Sequence, residues 1–256
     1  MSELVRARID GAVGSVTLAN PEKRNALSSP MMQAIIDAIR GLSLNEHVRV
    51  IVLKAEGKVF SAGHDLKEIA SGDEAHARAV FYLCNELMAC IRETPQPVIA
   101  QVDGLATAAG CQVVAACDLA VCSEESKFAT PGGRVGIFCT TPGVAVSRAV
   151  QPKKTMEMLL TGTPISAADA ERNGLVNRVV SAAMLDETVR ALAEQIAEYS
   201  PAIMSLGKKA FYRQLDMECG DAYRYAADVM VENTQLPDAK EGMAAFIEKR
   251  APRWGP

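Results

Sequence analysis

An α/β fold with a largely parallel sheet and a helical C-terminal layer is predicted by three observations. Apolar, β-branched runs alternate with segments of helical periodicity. The joints between them are short turns of small residues, and strand signals stop after about residue 180. Residues 5–9 and 15–18 alternate around Asp10-Gly11, a hairpin pattern. After the polar loop 19–26, Ser28 or Ser29 caps a helix with Pro30 near its first position. Met32, Ile35, Ile36, Ile39 and Leu42 form its apolar face. Residues 48–53 form an apolar strand interrupted only by Arg49, as a sheet covered on both faces requires. A helix over 73–92 and buried strands over 97–102 and 119–122 follow. Leu185, Val189, Leu192 and Ile196 mark the first of the closing helices, Pro201 starts a second that reaches Gln214, and further helices run to Lys249.

The 256 residues support one structural unit, divided as an α/β core over 1–195 and a helical region over 196–256. A helical layer of this kind commonly covers a neighbouring copy, so self-association is expected. A net charge of -4 argues against a nucleic-acid partner, because phosphate binding needs a concentrated basic face. No apolar run reaches membrane-spanning length, so no membrane partner is expected. The seven cysteines have odd parity and no C-x-x-C pairing. They read as reduced core thiols of a cytoplasmic protein, in which a removed transit peptide would leave no trace. Three scattered histidines argue against a zinc cluster, and no metal is expected.

Two segments carry the chemistry. In Asp103-Gly104-Leu105-Ala106-Thr107-Ala108-Ala109-Gly110-Cys111-Gln112, tiny side chains leave the N–H groups at a helix start open to an oxygen gaining negative charge. Gln112 sits one turn inside that helix, and an amide there cannot move protons as a carboxylate could. Phe60-Ser61-Ala62-Gly63-His64-Asp65-Leu66 likewise follows a strand and leads into a helix. Ligands of parallel sheets bind at the carboxyl ends of strands, so the N–H groups of His64 and Ala109 are expected to hold one oxygen between them. Either segment alone fits equally well a turn that merely packs.

Together with their neighbours these segments resemble the enoyl-CoA hydratase/isomerase (crotonase) family along nearly the whole chain. Asn20-Pro21 with Lys23-Arg24-Asn25-Ala26-Leu27 resembles the first coenzyme A loop, and residues 60–66 resemble the F-x-A-G-x-D-L loop. Residues 104–118 resemble the second oxyanion loop and its helix. Pro142-Gly143, Thr161-Gly162, Ile165-Ser166-Ala167 and the segment 174–180 are similar to further family signatures. The resemblance implies a spiral of ββα repeats with a C-terminal trimerisation region, in a trimer or dimer of trimers. The implied ligand is an acyl-CoA thioester, its oxygen held by His64 and Ala109 N–H, and no separate cofactor is implied. Lys23, Arg24, Ala26 and Leu27 would meet coenzyme A. Ala62, Gly63, Asp65, Leu66 and Gly110 would line the site, and Phe246 and Lys249 would close over coenzyme A from a neighbouring subunit.

Family hydratases carry glutamates in a G-C-E segment and in a P-E segment. The matching residues here are Gly110-Cys111-Gln112 and Pro131-Gly132. Hydration needs one group to activate water and one to deliver a proton, and glutamine and glycine do neither at neutral pH. Substitutes must come from nearby. Asp65 reads as a structural acceptor before a catalytic group, and His64, able to titrate near neutrality, reads as a bystander facing solvent before a catalytic one. The loop 134–141 offers Arg134, Cys139, Thr140 and Thr141. Cys139 and Thr140 are expected to line the acyl pocket, and Asp118 to be structural. The expected function is thus an enoyl-CoA hydratase-type enzyme that stabilises a thioester enolate with little hydratase activity. The rivals are a non-catalytic acyl-CoA-binding protein and an acyl-CoA decarboxylase or hydrolase. A dinucleotide oxidoreductase lacks its G-x-G-x-x-G signature here.

Overall fold

The computed structural model describes residues 3–255. The hairpin strands β1 (Val5–Asp10) and β2 (Val13–Leu18) turn through Gly11, whose φ of 57° suits glycine. Helix α1 (Ser29–Ser43) starts at Ser28, whose hydroxyl accepts the Met31 N–H. Strand β3 (Val50–Ala55) begins two residues later than the apolar run suggests, because the Val48 N–H is drawn into a turn on Asn45 O. Three units of the same form follow: a strand of the large sheet, a short strand of a second sheet, then helix. They are β3–β4 (Val59–Ser61) with α2 (Leu66–Ala70) and α3 (Glu74–Glu93); β5 (Val98–Val102)–β6 (Leu105–Thr107)–α4 (Ala109–Ala116); and β7 (Leu119–Ser123)–β8 (Lys127–Ala129)–α5 (Thr140–Ala149). Helix α6 (Pro152–Thr161), β9 (Ile165–Ser166), α7 (Ala167–Arg172) and β10 (Arg178–Val180) complete the core. Helices α8 (Ala182–Ala197), α9 (Pro201–Gln214), α10 (Cys219–Gln235) and α11 (Pro237–Glu248) follow.

The large sheet runs β1-β2-β3-β5-β7-β10, parallel apart from the first hairpin, and the small sheet runs β4-β6-β8-β9. Hydrophobic periodicity misses the small sheet, since its strands are two or three residues long and show no alternation to count. One face of the large sheet packs on α1 and α3 through Ile35, Ile39, Cys84, Leu87, Ile51 and Val98. The other face, with Val50, Val52, Ile99 and Val121, packs on Leu185, Val189 and Leu192 of α8. Burial on both faces is why these strands read as unbroken apolar runs. Among the described residues no helix is long and apolar enough to cross a membrane. All seven cysteines are free, and Cys219 is exposed rather than in the core, because it opens the half-exposed α10.

Helix α9 is fastened to the core by one buried cluster. The Lys208 ammonium pairs with Asp118 at 2.7 Å and donates to the carbonyls of Ile91 and Gln96, while Tyr212 and the Val98 N–H donate to the same carboxylate. Asp118 is therefore structural. Replacing Lys208 by Met leaves that carboxylate without its cation, so Lys208→Met should cost about 3 kcal/mol in urea unfolding. Adding Asp118→Asn should recover part of the loss, because the uncompensated charge is then gone.

Candidate active site

The site is built on two loops that touch. Asn25, fully buried with φ 49°, donates its side-chain amide to Glu56 O and Val59 O and accepts the Asn20 N–H. This holds the loop of Lys23 and Arg24 against the start of β4. The Ser61 hydroxyl donates to Asn25 O, Ala62 N–H to Arg24 O, and Leu27 N–H to Gly63 O at 2.8 Å. In a trans peptide the C=O and N–H point in opposite directions. Because Gly63 C=O faces Leu27, the His64 N–H of the same plane points away from Leu27.

The second loop obeys the same rule. Ala108 N–H donates to Ala129 O, and Ala108 O accepts Gln112 N–H inside α4, so the Ala109 N–H points outward from the helix start. Ala108 reaches this geometry at φ 51° and ψ -121°, a conformation that costs a non-glycine residue about 1–3 kcal/mol. Neither the His64 nor the Ala109 N–H has an acceptor among the described residues. Two glycines bring the loops together. A Cβ on Gly63 would stand 2.8 Å from Ala108 Cβ and 3.1 Å from Ala109 N, and one on Gly110 would stand 2.4 Å from Ser61 O. Only hydrogen fits at these contacts.

The side chains around this pair are mostly committed elsewhere. Asp65 caps α2 by accepting Lys67 N–H, and Glu68 accepts Ser29 N–H at the start of α1. The His64 ring does not face solvent, contrary to the expectation from sequence. Its Nδ1–H donates to Leu27 O at 3.3 Å, its ring packs edge-on against Phe81, and Nε2 is enclosed without a partner. Burial lowers its pKa below 6.5, against opposing contributions from the Leu27 carbonyl and Glu68. Leu66 is exposed and Ala62 half-buried. Lys23 and Arg24 are exposed and make no ion pair among the described residues, whereas Ala26 and Leu27 turn inward.

Gln112 is 3% exposed. Cys84, whose thiol burial raises to about 12, keeps its proton and donates it to Gln112 Oε1 at 3.8 Å. The amide NH2 makes no hydrogen bond among the described residues, and Gln112 lines a cavity of ≈ 690 Å³ together with Asn85, Thr141, Arg148 and Tyr212; the wall of that cavity includes neither His64 nor Ala109. Gly132 is buried under its own loop. A Cβ there would lie 2.0 Å from Ile137 O and 2.7 Å from Cys139 Sγ, and the Gly132 N–H donates to that sulfur at 3.2 Å. Burial pushes the Cys139 thiol up against the opposing pull of this N–H, so it is a protonated wall rather than a nucleophile. Thr140 and Arg134 are exposed. Phe246 and Lys249 lie on and just after α11, which packs against α9 and α10. Sequence reasoning missed Asn25 as the clamp, although it lies inside the quoted Lys23–Leu27 motif. It also missed the buried, unpartnered hydroxyls of Thr107 and Thr130, which carry no local signal.

A model of the enoyl-CoA hydratase/isomerase family matches residues 8–256. The chain belongs to this family. It is 49% identical over 249 residues to the mitochondrial enoyl-CoA hydratase domain-containing protein 3 of Homo sapiens, covering 96% of this chain and 82% of the relative. A probable enoyl-CoA hydratase of Mycobacterium leprae is 36% identical over 253 residues, covering 96% of both chains. Among solved structures, human enoyl coenzyme A hydratase domain-containing protein 3 superposes with a TM-score of 0.96 at 47% identity, covering 98% of this chain and all of that one. The two-sheet spiral with its helical C-terminal region is thus the crotonase fold.

Two outcomes test the geometry of this family member. Gly132→Glu should be destabilised by about 3 kcal/mol or more in urea unfolding, since even its Cβ must displace the Ile137 carbonyl. For His64 the folded pKa lies below the unfolded value, so its neutral form contributes stability fully above 6.5, and that stability is lost as pH falls through the lowered value. The melting temperature of His64→Gln should therefore fall less than that of the parent between about pH 8 and about pH 5.

Proposed function

We propose that this crotonase-family chain binds an acyl-CoA thioester with the carbonyl oxygen between the His64 and Ala109 N–H groups, and that it stabilises the thioester enolate there. The observation that carries the reading is the pair of unpartnered N–H groups on two abutting loops, one of them at the positive end of α4. The unpaired Lys23 and Arg24 beside the first loop suit coenzyme A phosphates, with Ala26 and Leu27 beneath them. Ala62, Gly63, Asp65, Leu66 and Gly110 form the rim, and Cys139 and Thr140 the acyl wall. Gln112 and Gly132 stand where hydratases of the family carry glutamates, so hydration is not the main reaction. Coenzyme A enters as part of the substrate, and no further cofactor is required.

Large apolar side chains left exposed on the C-terminal helices, Phe211, Met230, Val231, Phe246 and Ile247, support assembly as a trimer or dimer of trimers. In that assembly Phe246 and Lys249 close over a neighbour's ligand. The free thiols fit a reducing compartment, either the cytoplasm or the organelle named for the mitochondrial relatives.

Infrared difference spectra of bound butanoyl-CoA should show the thioester C=O stretch shifted to lower frequency. Ala109→Pro, which removes one of the two donors, should reduce the shift, and melting curves check that the variant folds next to the strained Ala108. Unshifted carbonyl frequency with tight binding would instead favour a passive acyl-CoA carrier. Crotonyl-CoA hydration should run roughly a thousandfold below that of an enzyme with both carboxylates. Robust hydration would overturn this reading of Gln112 and Gly132.

A further inference from the structure

Three helices run the same way around a trough that shares no wall residue with the N–H pair. Helix α4 is its floor, α3 and α5 are its sides, and Phe211 and Leu215 of α9 stand at its edge. The bond between Cys84 and Gln112 ties α3 to the first turn of α4, and Lys208 ties Ile91 O to Asp118 at the other end. On the α5 side, Gly174 lies against Ala149 O, and Asn177 of the same loop donates to Ala120 O. One end of the trough therefore holds Asn85, Gln112 and Thr141, and the other holds Arg92 and Arg148. Asn85 and Arg92 on α3, like Thr141 and Arg148 on α5, are seven residues apart, about 10 Å of helix.

We propose that this trough binds a medium-length carboxylate whose far end carries a second acceptor oxygen, either a free dicarboxylate or an acyl group with a terminal carboxylate. The anion lies between the Arg92 and Arg148 guanidiniums, and the far oxygen accepts from the Gln112 NH2. Neither arginine has a carboxylate partner among the described residues. Arg92 stacks on the Tyr212 ring at 4.3 Å, and Arg148 donates to Val144 O, which leaves N–H groups of both free for an anion. Asp118 is the one carboxylate on the wall. Lys208 neutralises it, and it accepts from Tyr212 and the Val98 N–H, so this end of the trough is positive overall.

Arginines near a surface would carry little alone, and the buried amide at the opposite end supplies the second observation. Gln112 is buried, its oxygen accepts the Cys84 S–H, and its NH2 makes no hydrogen bond although the residue lines the trough. A buried polar group left unpaired costs about 1–3 kcal/mol, which an acceptor on a ligand recovers. Between the two ends the floor is Val114, Ala115 and Ala116, so the ligand's middle is apolar. An extended chain advances about 1.2 Å per bond, so about eight carbons carry oxygens to both ends. The volume of ≈ 690 Å³ accommodates such a ligand.

The test measures calorimetric binding of octanedioate, octanoate, butanedioate, octanedioyl-CoA and octanoyl-CoA to the purified full chain. Octanedioate should bind about tenfold or more tighter than octanoate, which lacks the far acceptor, and than butanedioate, which is too short. Arg148→Leu, on an exposed helix face, and Gln112→Leu should each lower that affinity by about tenfold or more, and melting curves check that both variants fold. If only a thioester delivers the chain to the trough, octanedioyl-CoA binds tighter than octanoyl-CoA, Arg148→Leu removes the difference, and free octanedioate does not bind. Either pattern supports the site and identifies its source. Equal binding of octanedioate and octanoate, together with equal binding of the two thioesters, overturns the inference. So does a preference for the terminal carboxylate that survives either variant. The acyl-CoA reading above is decided separately, by whether butanoyl-CoA binds.

Discussion

The hydrogen bond from Leu27 N–H to Gly63 O sets the orientation on which the candidate site depends. A peptide group is rigid, so fixing its carbonyl fixes the opposite direction of its N–H. Leu27 can hold that carbonyl only because Asn25, in a left-handed conformation, ties its loop to the backbone of residues 56 and 59. The second N–H depends on the same logic, with α4 holding the Ala108 carbonyl and β8 holding the Ala108 N–H. Strain at Ala108 is the local cost of turning from strand into helix within one residue. The site is thus a property of backbone hydrogen bonding. Its side chains are chosen chiefly for being small enough to let the loops meet.

That dependence explains what could be read in the sequence. The hairpin, the long helices and the strands of the large sheet were legible because each is long enough to show a period or an uninterrupted apolar run. The small sheet was not legible, since Leu105–Thr107 and Lys127–Ala129 are defined by pairing across the chain and not by any local pattern. Gly63 and Gly110 were visible as glycines, but their reason is contact with Ala108 and Ser61, residues distant in sequence. His64 was misjudged for the same reason. Nothing near it in sequence announces that Leu27 and Phe81 enclose its ring. Gly132 was legible only as a missing carboxylate. The Ile137 carbonyl and Cys139 sulfur occupy the space that any side chain there would need, a contact across the loop that no local pattern announces.

Positions 112 and 132 differ in kind. Gln112 sits inside the regular helix α4, and its amide oxygen accepts the Cys84 S–H, which burial keeps protonated. Gly132 is locked by backbone, its N–H and O both engaged by the loop 137–139. Placing a carboxylate at 112 is a local change of charge. Placing one at 132 requires moving backbone, since a Cβ there already meets Ile137 O at 2.0 Å.

A site made of backbone N–H groups and an amide also has an unusual relation to pH. Neither kind of group titrates in the range where proteins are folded, and the nearby His64 ring is favoured neutral by burial and turned toward Leu27 O and Phe81. The polarising power of the two N–H groups is fixed by hydrogen bonds that do not change with proton concentration. The directions of the two N–H groups are thus set by the contact between the Gly63 and Ala108 loops, which does not depend on proton concentration.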